Sequence, residues 1–353
     1  MKKFNKIIII LVVMLLPFTF TSCKKESINK STINVYNAGE YIEPQILKDF
    51  EEETGIKVVY DTFASNEDLY IKIASGHTPY DVIVPSDYMI ERLIKEGKLQ
   101  KLDYSKIPNF ENVLPEYRHP QFDPDDQYTA PYFSGTIGIV YNKNMIKSPP
   151  TSWRDLWNKE YTGKIIMYNS QRDSIAIALK MLGYSMNSVD PNELKEAKQA
   201  LIEQKSLVYA YLTDDGRDVM VQGDAAMMPM YSGDAAYMMS ENSDLDYVIP
   251  KEGTNIWMDS MCIPKDAKNV EGAHEFINYL LREDVGVLNA EYSMGYTSPI
   301  RGVKENLPEE LKNSKVAYPD INKLPPLEYF EDLGENSKLY DRIWTEVSAT
   351  FVD

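Results

Sequence analysis

The stretch GTNIWMDSMCIPK, residues 253–265, sets a tryptophan and an aspartate two residues apart in a run that reads as a β-strand. Side chains on a strand alternate faces, so Trp257 and Asp259 point the same way, an indole face beside a carboxylate. Related groupings recur along the chain. YNAGEYI supplies Glu40 and Tyr41, VPSDYM supplies Ser86 and Tyr88, and MYSGDAAY supplies Tyr231 and Asp234. NSQRDSI adds Asp173 and MGYTSP adds Tyr296. Aromatic faces attract ammonium groups by about 0.5–2 kcal/mol each, and charge-assisted hydrogen bonds to carboxylates add ~1.5–3 kcal/mol apiece. Such a lining suits a ligand with separated positive charges and an apolar stem. A neutral or shorter ligand leaves a buried carboxylate unpaired, which costs several kcal/mol. Singly, each residue also has a structural reading: Asp173 and Asp234 complement helix N-termini, and the aromatics fill a core.

Other chemistries find less support. The chain has no GxSxG elbow, no HExxH, no GxxxxGK[ST] and no GxGxxG. His77, His119 and His274 stand far apart and read as surface or structural residues, since a metal site needs several convergent donors. No metal and no cofactor are expected. Cys262 reads as a small core residue. The abundance of carboxylates leaves a two-acid exported hydrolase open as an alternative.

These residues need elements to hold them. Between Ile33 and Glu96 strands alternate with helices: INVYNA, IKVVYDTF and DVIVPS are extended, and PQILKDFEEETG, SNEDLYIKIASG and DYMIERLIKEG are helical. That order predicts a parallel sheet covered by helices, with ligands bound beyond the carboxyl ends of its strands. The run YTAPYFSGTIGIVYNK, from Tyr128, is too long for one ordinary strand and is read as leaving one domain for a second. The second domain alternates again, through KIIMYN, RDSIAIALKMLG, PNELKEAKQALIEQ, LVYAY, GRDVMVQG, AAMMPMYSG and DAAYMMSEN. The WMDS stretch then returns the chain to the first domain. Two crossings between two α/β domains make a hinge and a cleft.

The first 22 residues read as a secretory signal, with Lys2, Lys3 and Lys6 ahead of an apolar run from Ile7 to Leu16, although an uncleaved anchor remains an alternative. FTSC resembles a bacterial lipobox, which makes Cys23 the lipidated residue and 23–31 a tether. Cys262 is then the one remaining thiol, so no disulfide framework holds the exported chain. The formal charge of −17 argues against nucleic acid and anionic membrane surfaces as partners. It permits cationic ligands, and it equally serves solubility.

From about Ile33 to its C-terminal helix, the sequence closely resembles the spermidine/putrescine-binding proteins of bacterial polyamine ABC importers. The most specific stretches are YNAGEYI, EETGIKVVYDTFASNE, YDVIVPSDY, TSWRDLW, IPKEGTNIWMDS and MGYTSP. The resemblance implies a two-lobed periplasmic-binding-protein fold of type II, two α/β domains joined by crossover strands around a cleft. The lobes expected are 32–138 with 260–308, and 139–259 with 309–353. It implies a receptor and no enzyme, mostly monomeric and extracytoplasmic, that delivers spermidine or putrescine to an ABC permease. Carried over by motif, Glu40, Tyr41, Ser86, Tyr88, Asp173, Tyr231, Trp257, Asp259 and Tyr296 match ligand-binding positions, and Thr213 matches a small hydroxyl position. Ala38 stands where many members have tryptophan, and Ser170 replaces an acid of spermidine-preferring members. Asp234 supplies an acid seen in some putrescine-specific ones. No residue near Phe330 and Glu331 is assigned. Rival readings are a receptor for another small solute, a sensory subunit, or the two-acid hydrolase.

Overall fold

The computed structural model describes residues 31–39, 41–76, 78–320 and 323–350, so the expected signal, most of the tether, Cys23 and Glu40 lie outside the described residues. Strands Thr32–Ala38 (β1), Lys57–Phe63 (β2) and Val82–Ile83 (β3) form a parallel sheet in the order β2-β1-β3. Parallel neighbours require crossovers. Helices Pro44–Thr54 (α1) and Asn66–Ala74 (α2) supply them, and Asp87–Lys95 (α3) follows β3. The helix boundaries follow from local chemistry. Ser65 accepts a hydrogen bond from the Asp68 amide at 3.1 Å, and Gly55, at φ 70°, closes α1 in the left-handed conformation. DVIVPS pairs as a strand only over Val82–Ile83, with hydrogen bonds from the flanking Asp81 and Val84 amides extending its contact with β1.

The second sheet is built on Ala130–Asn142 (β4), whose thirteen residues are all buried. Its order is β10-β9-β4-β7-β5-β6, using Ile165–Tyr168 (β5), Val208–Leu212 (β6), Met227–Tyr231 (β7), Thr254–Met261 (β9) and Leu327–Glu328 (β10). Leu245–Val248 (β8) also pairs with β4. β4 changes partners along its length. Ala130–Thr136 pairs with β9, and Ile137–Asn142 lies between β7 and β8. That answers why the run reads as too long for one strand: each half belongs to a different body. Residues 33–133 and 257–307 contribute one apolar core, around Phe50, Phe133 and Phe276. A second core joins residues 137–227 to the C-terminal helix Ser337–Ala349, around Trp153, Ile177 and Tyr340.

β5, β6 and β7 run parallel. Helices Gln171–Leu182 (α4), Asp215–Gln222 (α6) and Ser232–Glu241 (α7) start just beyond their carboxyl ends, and Pro191–Gln204 (α5) packs on α4. The first turns of α4, α6 and α7 therefore share one edge. SWRDLWN forms a 3₁₀ turn at Trp153–Trp157 held by a Ser152–Asp155 capping box.

Candidate functional site

Asp259 lies on β9 opposite Phe133 of β4, and Trp257 lies opposite Gly135. A side chain at Gly135 would not fit, because a Cβ there would come 2.6 Å from the Trp257 ring. The missing side chain lets the indole lie across β4. Tyr41 donates its hydroxyl to Asp259 Oδ2 at 2.8 Å, and Asp259 Oδ1 is buried without a hydrogen-bond partner. Ser86, the N-cap of α3, forms a backbone bridge with Asp259. Burial lifts the Asp259 carboxyl to about 6, against the pull of the Ser86 and Tyr41 hydroxyls.

Tyr41 is itself fixed. The Tyr132 hydroxyl donates to its carbonyl at 2.5 Å, and Asn289 Nδ2 donates to that hydroxyl at 2.8 Å. The rings of Tyr41 and Tyr296 meet edge to face at 5.3 Å, as do those of Tyr296 and Trp257. Trp257 meets Tyr231 edge to face at 6.0 Å. Tyr231, at the end of β7, donates its hydroxyl to Asp173 Oδ1 at 2.8 Å. Asp173 occupies the first turn of α4 and is 5 % exposed; burial raises its pKa against hydrogen bonds from Ser170 and Tyr231. A continuous path of contacts thus runs from one carboxylate through four aromatic rings to another, and Trp257 Nε1 on that path is buried without a partner.

Asp234 joins through Tyr296, whose hydroxyl donates to its Oδ2 at 2.9 Å, while Arg217 Nη1 lies 3.1 Å from Oδ1. Burial raises the Asp234 pKa and the Arg217 charge opposes that. Tyr88 stands at the margin: it donates to Glu67 at 3.1 Å, and its ring meets Phe330 at 6.4 Å. Burial drives its phenol well up, with Glu67 and Asp173 adding to the effect. Thr213 is exposed at the turn after β6, and no hydrogen bond among the described residues ties its side chain to the group. Ser170 serves as the N-cap of α4.

Four participants are missing from the sequence reading. Tyr132 and Phe133 flank the site from β4, and the register of β4 against β9 would have located them. Phe330 packs beneath the Arg172 guanidinium at 4.3 Å and against Tyr88. Arg217 carries no motif. His274, by contrast, is structural: Nε2 accepts from the Asp103 amide at 2.9 Å and Nδ1 lies 2.7 Å from the Val270 carbonyl. Cys262 is fully buried in the core.

The description of bacterial extracellular solute-binding proteins fits residues 45–320 as a family model. The chain belongs to this family. Relatives of this solute-binding protein include the spermidine/putrescine-binding periplasmic protein of Escherichia coli K12, 37% identical over 323 residues and covering 91% of this chain and 92% of that one. The putrescine-binding periplasmic protein of the same organism is 30% identical over 343 residues, covering 91% and 92%. Among solved structures, the spermidine/putrescine ABC transporter substrate-binding protein of Streptococcus pneumoniae superposes with a TM-score of 0.80 at 40% identity, over 90% of this chain and 98% of that one. The solute-binding protein accordingly has the two-lobed α/β fold of type II. In it the carboxylates and aromatic rings gather where β4, which changes partners along its length, pairs with the returning strand β9.

Proposed function

We propose that this solute-binding protein takes up a polyamine, spermidine and/or putrescine, between its lobes and delivers it to the permease of an ABC importer. The observation that carries the reading is the aromatic path with a carboxylate at each end, Asp173 and Asp259. An alkyl chain lying on these rings buries about four methylenes, worth ~3 kcal/mol. Ammonium groups at the ends would meet Asp173 and the partnerless Oδ1 of Asp259. With ~1.5–3 kcal/mol for each of two charge-assisted bonds and ~0.5–2 kcal/mol for each of two ammonium–ring contacts, the gross total is about 7–13 kcal/mol, a range that brackets the about −8 kcal/mol of a micromolar complex. The relatives named for polyamines support the same ligand class.

Tyr41, Ser86, Tyr88, Tyr231, Trp257 and Tyr296 line the ligand in this reading, with Phe330 closing one end. By motif, Glu40 and Thr213 complete the set of ligand-binding positions. The lobes divide as 32–138 with 260–308, and 139–259 with 309–353, which puts Asp173 inside the second lobe and Asp259 at its boundary with the first. The protein acts as a receptor and not as a catalyst, mostly as a monomer, and Cys23 carries the lipid that anchors it outside the cytoplasm. Replacing Asp259 by Asn removes one charge-assisted bond and keeps the shape. Calorimetry should show putrescine or spermidine binding weakened about tenfold or more. Equal affinity in the variant and the parent would remove Asp259, and with it this reading of the site.

A further inference from the structure

The third residue of α4, of α6 and of α7 is Asp173, Arg217 and Asp234 in turn. These helices start at the carboxyl ends of three parallel strands, so the three side chains share an edge. The first turn of a helix carries partial positive charge and favours an acid. Asp173 and Asp234 obey that rule, and Arg217 opposes it. Helix stability therefore does not account for a cation at this position.

Arg217 finds its compensation in the site. Its Nη1 lies 3.1 Å from Asp234 Oδ1, with the two side chains 26% and 15% exposed. The other Asp234 oxygen accepts the Tyr296 hydroxyl at 2.9 Å, so both carboxylate oxygens are engaged. Asp259 differs: one of its oxygens is buried without a partner. Tyr296 connects the pair directly to the aromatic path, through its edge-to-face contacts with Trp257 and Tyr41. It is held in place by Gly233, where a Cβ would come 2.2 Å from the Tyr296 ring.

We infer that Arg217 is a specificity-determining residue: a built-in guanidinium that occupies Asp234 where one more ammonium of a longer polyamine would otherwise sit. Arg217 thereby lowers by one the number of ligand charges the site holds, and biases it toward diamines over triamines and tetraamines. The inference rests on the polyamine reading of the site. It treats Asp234 as an acid already neutralised from within, a role that the acid alone does not disclose.

The test is a calorimetric panel of putrescine, cadaverine, spermidine and spermine against the full chain and three variants: Arg217→Met, Asp234→Asn and the double variant. Methionine keeps the apolar stem of the side chain and removes its charge. Arg217→Met should raise the spermidine-to-putrescine affinity ratio at least about tenfold, the size of one charge-assisted bond. Asp234→Asn removes the carboxylate that faces the guanidinium and should lower the same ratio, because repulsion grows with ligand charge. The double variant should return the ratio to within about threefold of the parent, since the net charge of the pair is restored. A ratio that does not move in Arg217→Met, or an equal loss for all four ligands, would show a merely structural pair and overturn the inference while leaving the polyamine reading intact. A parent protein that binds none of the four overturns both.

Discussion

At the scale of single residues, the carboxylate of Asp259 makes the site sensitive to pH. Burial holds its pKa near 6, and the neighbouring hydroxyls of Ser86 and Tyr41 only partly offset that. Asp173 and Asp234 are shifted in the same direction for the same cause. A polyamine needs the carboxylate ionised, and its ammonium groups stay charged throughout this range. The apparent dissociation constant should therefore rise about tenfold between about pH 7 and about pH 5, with protons released on binding at the lower pH. The ligand-free protein shows the opposite sign. A raised folded pKa contributes stability that is complete below the unfolded value and is lost as pH rises through about 6, so Asp259 makes the empty protein more stable at mildly acidic pH. Calorimetry and melting curves across that range, on the parent and on Asp259→Asn, check both halves. A pH-independent affinity would remove the assignment of the titrating group. The residue types behind this behaviour were legible in the sequence, because Trp257 and Asp259 share a strand face. Arg217 was not legible: an arginine four residues after Thr213 looks like a solvated helix residue until the fold lays α6 beside α7.

Among the elements, small residues at crossings decide where the rings stand. Gly135 on β4 leaves room for Trp257, and Gly233 in α7 leaves room for Tyr296. Neither glycine needs a left-handed backbone, so alanine there acts by volume alone. Gly233→Ala would drive a methyl group into the Tyr296 ring and force it from Trp257 and Asp234. The expected outcome is a destabilisation of ~1–3 kcal/mol together with weaker binding of every polyamine. Denaturant midpoints and calorimetry read the two effects, and unaltered affinity would show that the ring position does not matter. Strand and helix alternation made most of these elements readable in advance, including the ends of α1 at Gly55 and of α2 at Ser65. What local pattern could not supply was the pairing of distant segments. β10 has only two residues, Leu327 and Glu328, and exists because β9 offers it an edge. The same holds for Phe330, whose place beside Tyr88 depends on contacts far apart in the chain.

For the whole molecule, the segment that follows β10 forms a third connection across the junction of the two bodies. On one side the Asp332 amide donates to Glu91 at 2.7 Å, and Lys95 lies 3.4 Å from its carboxylate. On the other, Arg172 donates to the Glu331 carbonyl at 3.3 Å and Asn187 donates to the Tyr329 carbonyl at 2.8 Å. Glu328 secures the start of this strap. It pairs with the buried Lys180, and its second oxygen accepts from Ser185 Oγ at 2.7 Å and from the Met186 amide at 3.0 Å. Burial works to raise its pKa, but the hydrogen bonds from Lys180 and Ser185 outweigh it and hold the carboxyl below the usual glutamate range. A depressed folded pKa contributes stability that is present above the unfolded value and lost as pH falls through the folded one, the reverse of Asp259. Glu328→Ala strips the partner from a lysine that is only 8 % exposed. It should lower the denaturation free energy by about 2–3 kcal/mol at neutral pH. It should also weaken ligand binding, because the strap carries Phe330 to its place against Tyr88. Glu328→Gln keeps the hydrogen bonds to Ser185 and Met186 while losing the charge, so its deficit should be smaller and should shrink further as pH falls toward the glutamate range. Equal denaturation midpoints for parent and Glu328→Ala would show that the strap lies on the junction without holding it.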